Sequence, residues 1–309
     1  MKQSTITSRL HFVPALALVL WTATLASASS SYQGSFQRDL KVSGPVDLEV
    51  LTRSGDISIR SGPAGTVAIH GRIHVNERWM DGGKESDVRE LEQNPPIRQS
   101  GNSIRIDYPS AREISIDYEI TLPADASVRT HSGSGDQTVQ GLRNNLNLES
   151  GSGDMRLSDI KGEVRLHTGS GDVEARDVTG SFNAEAGSGN IRLESSDAGD
   201  VRARTGSGGI ELRGVKGSLH VDAGSGDITV DGSPTQAWEV RTGSGDVRLR
   251  VPGEAAFSLE ASTGSGELRV NHPVTIEGNL RSRHTVTGQV HGGGPVLAVH
   301  TGSGDVEID

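Results

Sequence analysis

Ser134, Ser152, Ser170, Ser188, Ser207, Ser225, Ser244, Ser265 and Ser303 each stand between two glycines, and a hydroxyl in so open a turn is sterically free to act as a nucleophile. Nucleophilic catalysis also needs an oriented base within hydrogen-bond reach. No His keeps a constant offset from these serines, so their recurrence argues for structural turn residues and against a catalytic set. Asp136, Asp154, Asp172, Asp227, Asp246 and Asp305 follow the second glycine, and acids stacked on one edge repel unless screened or neutralised by a cation such as calcium. The calcium nonapeptide G-G-x-G-x-D keeps a residue between its last Gly and the Asp, whereas here the two adjoin. Asn190, Gly209 and Glu267 also interrupt the series. An Asp in a turn commonly bonds its own nearby backbone without an ion. Neither a metal site nor a cofactor is expected.

His272, His284 and His291 could meet as a metal site, but their spacings of 12 and 7 match no zinc pattern. Sugar binding usually employs exposed aromatic platforms. Trp238 and Phe182 fall in the inward register, which leaves Trp79, Tyr108 and Tyr118 as candidates, all in the amino-terminal part.

The elements that must carry these residues follow from the period. Successive turn serines are 18, 18, 18, 19, 18, 19, 21 and 38 residues apart, and the last step is read as hiding one degenerate unit. From the Ser152 unit onward, the residues six and four before the Ser, and three and five after it, are apolar throughout: Val164, Leu166, Val173 and Ala175 around Ser170, for example. Period two on both sides of the turn means two strands per unit. An 18-residue unit with two five-residue strands leaves no room for a helix, so equivalent strands of successive units must pair. The predicted fold is all-β: a parallel β-solenoid, with right-handed connections as the strong default.

Outward positions mostly alternate in sign. Four residues after the Ser the series runs Arg156, Glu174, Arg192, Glu211, Thr229, Arg248, Arg269, Glu307, which reads as cross-strand pairing on a solvated wall and not as a ligand groove.

Lys2 and Arg9 precede an apolar run from Val13 to Ala26, and Ala26-Ser27-Ala28 supplies a small-residue cleavage pattern, so residues 1–28 read as a secretory signal. The expected location is outside the cytoplasm: periplasm, cell surface or extracellular. The run is too short, and contains Pro14, for a transmembrane span, although an uncleaved anchor is the alternative. Without Cys there is neither a lipid-anchor site nor a disulfide framework. Removing Lys2 and Arg9 takes the net charge from -10 to -12, which disfavours nucleic acid and anionic lipid as partners.

Residues 29–130 form a less regular β segment that holds one copy of the frame, Leu48 to Ile59, with Arg53 replacing the first Gly. Within it, 76–96 is polar and reads as an insertion or cap, and Lys84 to Gln93 predicts a short helix with Val88 and Leu91 on one side. Residues 131–309 are the regular repeats. The last of them ends at Asp309 with its final strand expected as a sheet edge, protected by acids or offered to a partner strand.

The repeated S-G-D-[VI] units, from Ser54-Gly55-Asp56-Ile57 to Ser303-Gly304-Asp305-Val306, resemble the bacterial toast-rack β-repeat family of adhesin-like domains of unknown function. The resemblance spans nearly all of the chain after residue 28 and implies an exported or envelope-associated protein; it brings no catalytic residues. The function expected is a noncatalytic envelope scaffold or adhesin-like module whose partner is an envelope polymer or a protein. The alternatives are a carbohydrate-active β-helix enzyme or a calcium-dependent cell-surface solenoid.

Overall fold

Each Gly-Ser-Gly turn separates two strands whose alternate residues face inward. In the Ser170 repeat, Val164–Ser170 buries Val164, Leu166 and Thr168, and Val173–Ser188 starts by burying Val173 and Ala175. The computed structural model describes residues 32–75, 84–110, 113–276 and 284–309, so the expected signal and Trp79 lie outside the described residues.

Neither strand pairs within its own repeat. Leu146–Ser152 runs parallel to Val164–Ser170 with Leu146 opposite Val164 and Ser152 opposite Ser170, while Met155–Lys161 runs parallel to Val173–Ser188 with Met155 opposite Val173. The same register continues through the Ser188, Ser207, Ser225 and Ser244 repeats. A one-residue slip would turn every apolar side chain outward, so the pattern pins the pairing. The result is an all-β fold in one long mixed sheet, with the helix Lys84–Gln93 as its helical element among the described residues. Its core is two continuous apolar rows of Val, Ile, Leu and Ala, each fully buried Val, Leu or Ile contributing roughly 1.5–3 kcal/mol.

The turns show why glycine recurs. Gly171 has φ +147°, and a Cβ there would lie 2.1 Å from the carbonyl oxygen of Gly153 in the preceding repeat. Two residues before the turn Ser, the small side chain expected for a tight corner has a second task. Thr205, Thr242 and Thr301 donate their hydroxyls to the carbonyls of Gly189, Gly226 and Gly245 at 3.0, 3.1 and 3.0 Å, which satisfies oxygens on the neighbouring turn.

Both ends depart from sequence order. Val296–Ser303 lies between Trp238–Ser244 and Phe257–Ser265, and Val306–Ile308 lies between Val247–Arg250 and Leu268–Val270. The expected edge at Val306–Ile308 is therefore overturned: its strand is paired on both sides. Nor does the step from Ser265 to Ser303 hide a further unit, because Thr285–Val290 runs antiparallel on Phe257–Ser265, with Val274–Thr275 antiparallel on it in turn.

The amino-terminal end is built the same way. The Ser54 repeat, Asp47–Ser54 and Ile57–Gly62, sits between the Ser134 repeat and the strands Ser103–Ile106 and Ile114–Pro123. Ile97–Ser100 then closes one row, and Thr66–Val75 followed by Tyr32–Lys41 closes the other, all antiparallel. The helix forms over the residues expected for it. It buries Val88 and Leu91, and Arg38 donates to the terminal carbonyls of Glu92 and Gln93 at 3.1 and 2.7 Å.

Candidate functional site

The turn acids form a ladder. Asp154 N–H donates to Asp136 Oδ1 at 3.0 Å, Asp172 N–H to Asp154 Oδ1 at 2.9 Å, Asn190 N–H to Asp172 Oδ1 at 2.8 Å, and Gly209 N–H to Asn190 Oδ1 at 2.8 Å. It resumes with Asp246 N–H on Asp227, Asp305 N–H on Asp246 and Glu267 N–H on Asp305, at 2.9, 2.9 and 2.8 Å. The acceptor bond expected within each turn is thus made between repeats. It also accounts for the interruptions: Asn190 offers the same oxygen, Gly209 donates its N–H but has no side chain to accept from the next turn, and Glu267 stands in the last repeat of the stack, where only its N–H is needed.

The second carboxylate oxygens have cationic partners at one point. Arg156 reaches Asp136 Oδ2 at 2.8 Å and Asp154 Oδ2 at 2.7 Å. The Arg156 guanidinium first, and the Asp154 amide second, hold the Asp136 carboxyl below its ordinary range. Among the described residues no group of three His, Asp or Glu side chains is arranged to hold a metal. His272 is buried edge-to-face against Phe257, with ring centroids 5.6 Å apart. His291 Nδ1 lies 3.2 Å from the carbonyl of Ala255. The three histidines singled out by sequence are not gathered around a common point.

Of the aromatic candidates, Tyr118 is corrected. It is 1% exposed, packs against Phe36 and lies opposite Ile57 in the row of inward residues, so it belongs to the core; burial pushes its phenol pKa up. Tyr108 remains, 37% exposed. Trp238 and Phe182 are buried as expected, with Trp238 Nε1 donating to Gly217 O at 2.9 Å.

The outer rows are self-paired. Arg156 stands opposite Glu174, Glu174 opposite Arg192 and Arg192 opposite Glu211, the last pair at 3.5 Å. On the other row His131 meets Glu149 at 3.3 Å, His167 meets Glu185 at 3.9 Å and Arg204 meets Asp222 at 3.7 Å. These side chains are a third to two thirds exposed, so each pair contributes at most about 1 kcal/mol, and the rows present mixed rather than single-sign charge.

A family model described as Toastrack DUF4097 matches residues 46–309. The chain belongs to the Toastrack DUF4097 family. Three solved structures are distantly similar to this Toastrack chain. A "putative cell adhesion protein" from Clostridium sporogenes is 12% identical, with 89% of this chain and 98% of that one covered and a TM-score of 0.28. A "putative adhesin" from Bacteroides fragilis is 13% identical, with 90% and 99% covered and a TM-score of 0.41. A "putative lipid binding protein" from Parabacteroides distasonis is 13% identical, with 89% and 97% covered and a TM-score of 0.48. No curated protein matches the sequence.

Sequence reasoning missed the head of the Toastrack ladder. Asp136 N–H donates to Asp56 Oδ1 and Asp56 N–H to Asp117 Oδ1, both at 2.9 Å, while Asp117 Oδ2 contacts His74 Nε2 at 2.8 Å. Asp117 follows no Gly-Ser-Gly; the usable signal was its place one residue before Tyr118, an apolar residue in alternation, as Asp172 precedes Val173.

Proposed function

We propose that this Toastrack protein is a noncatalytic, exported, right-handed parallel β-solenoid that serves as an envelope scaffold or adhesin-like module. The observation that carries the reading is the in-register ladder. Because Ser152 stands opposite Ser170 and every outward residue opposite its counterpart, exposed groups repeat along the stack at one strand spacing, about 4.8 Å. A surface that is periodic along its axis, with its charges paired internally, suits a periodic, weakly charged polymer or a protein partner with a long flat face. Export is supported by the cationic, apolar and small-residue segments of 1–28. On this reading 29–130 is a capped start to the stack and 131–309 its regular body.

The test is co-sedimentation of the chain from Ser29 onward with peptidoglycan, outer-membrane and extracellular-polysaccharide fractions, with and without a chelator. Saturable, chelator-insensitive binding to one fraction supports the module. Calcium-dependent binding favours the calcium solenoid, and release of soluble sugar from a fraction favours the enzyme.

A further inference from the structure

The concavities of the repeat walls are lined by the outer rows of mixed charge, whereas the one beside the amino-terminal excursion holds an exposed aromatic ring. The helix Lys84–Gln93, the turn that follows it into the strand Ile97–Ser100, and the segment from Asp107 to Ser110 line an open cavity of about 280 Å³. We propose that this cavity binds one ring of a neutral saccharide, with Tyr108 as the stacking platform and Asp87, Glu90 and Asn94 as hydrogen-bonding partners for its hydroxyls. The proposal rests on the reading of the chain as a binding module and names its ligand class.

Three observations converge. The first is shape: pockets for drug-sized ligands run from about 300 to 1,000 Å³, so this one accommodates a single ring and not a long segment of chain. Its wall includes apolar surface from Leu91, which is buried, and from Ile97.

The second is the aromatic. Tyr108 lines the cavity and is 37% exposed, and among the described residues it is the exposed aromatic ring. Arg53 fixes it from outside the lining, with its guanidinium 5.1 Å from the ring centroid and Nη1 donating to Pro109 O at 2.6 Å. Arg53 replaces the glycine that every later turn keeps. It fits because Ser103–Ile106, the strand next to its own, stops pairing at Ile106, opposite Val50, before the turn is reached. The turn that lacks its first glycine therefore braces the exposed ring of Tyr108.

The third is charge. Asp107 is engaged by Arg98 at 3.2 Å and Arg105 at 2.7 Å, and Arg105 also bonds Glu49, so these two cations are neutralised, while Arg53 is held against the ring of Tyr108. Asp87 and Glu90 have no ion-pair partner among the described residues. Asp87 also suits the first turn of the helix, whose dipole favours an acid there, but Glu90 one turn later has no such reason. Unpaired carboxylates accept from sugar hydroxyls and repel carboxylated or sulfated rings.

The experiment is isothermal titration of the chain from Ser29 onward with chitotetraose, cellotetraose and tetragalacturonate. One of the two neutral oligomers is expected to bind and the anionic one not to. Tyr108→Ala should weaken binding roughly tenfold or more, as truncating an aromatic anchor does, whereas Tyr108→Phe should retain it. Asp87→Asn with Glu90→Gln should relax the exclusion of tetragalacturonate. Unchanged affinity in a folded Tyr108→Ala variant, or preferred binding of the anionic oligomer, overturns the site. So does silence with both neutral oligomers, while co-sedimentation with envelope fractions would still decide the module reading separately.

Discussion

Glu307 stands within the repeat inserted between two earlier ones, and its replacement tests the stack order. Glu307 stands opposite Arg248 on one side and Arg269 on the other, with Arg248 Nε at 2.8 Å from Glu307 Oε2. That contact is the first cause of the raised Arg248 pKa. Two cross-strand pairs at roughly 0.2–1 kcal/mol each are lost in Glu307→Gln, and Glu307→Arg adds like-charge opposition of similar size. The Arg248 and Glu307 side chains are 47% and 31% exposed, so screening pulls the reversal towards about 1–2 kcal/mol. The assay is hydrogen exchange at low salt: amides of Val296–Ser303 and Val306–Ile308 should exchange about 5–30-fold faster, with the Ser152 and Ser170 repeats unaffected. High salt should shrink the effect, and adding Arg248→Glu should restore protection in part, since Arg248 also faces Asp246 and Asp309. Glu254→Arg, at an exposed residue outside the ladders, is the control. If Glu307→Arg exchanges like the parent, or only as Glu254→Arg does, the last repeat does not sit between the two arginines.

Four further outcomes are expected. Gly171→Ala should lower the melting temperature by the equivalent of about 1–3 kcal/mol, because a Cβ would meet the Gly153 carbonyl in a left-handed backbone; a silent substitution would mean the turns are not stacked. Asp172→Ala should cost about 1–3 kcal/mol by stranding the Asn190 N–H, while Asp172→Asn keeps the acceptor and should be tolerated, as read by urea unfolding with and without chelator. Asp136, with its pKa held below the ordinary 3.8, adds stability that is present above that value and lost as pH falls through the folded pKa. Asp136→Asn should therefore flatten the loss of melting temperature in acid, and an unchanged acid profile would refute the Arg156 contact. Tyr118→Phe should leave the melting temperature level or raise it, since the buried hydroxyl has no partner; a large drop would reveal a bond to it.

Where each residue repeats a local rule, the fold was legible. The alternation around each turn specified strand positions, and the apolar pair Val88 and Leu91 specified the helix, because both are short-range consequences of side-chain period. Stack order is long-range, and period cannot set it, since every repeat offers the same inner face to every other. The discriminating signal lay on the outside. Read in chain order, the outer row places Arg248 beside Arg269, and the neighbouring row places Glu239 beside Glu260. Those are like charges directly opposed in consecutive repeats. Read in the order of the structure, Glu307 separates the arginines, which restores the alternation of that row, and Ala298 separates the glutamates. The two like-charge juxtapositions were thus the evidence for the inserted repeat, and the inner face could not have supplied it. Tyr118 was misjudged although its face was legible: the alternation Ile114, Ile116, Tyr118, Ile120 places it among the inward residues, and the pairing of Ile57 with Tyr118 agrees. The ladder of turn acids was visible as a list of residues but not as bonds, because its acceptors serve the next repeat and not their own. In a stack, the meaning of a polar residue is fixed by its neighbour one repeat away, and that neighbour is the following residue in the chain's own count only where sequence order and stack order agree.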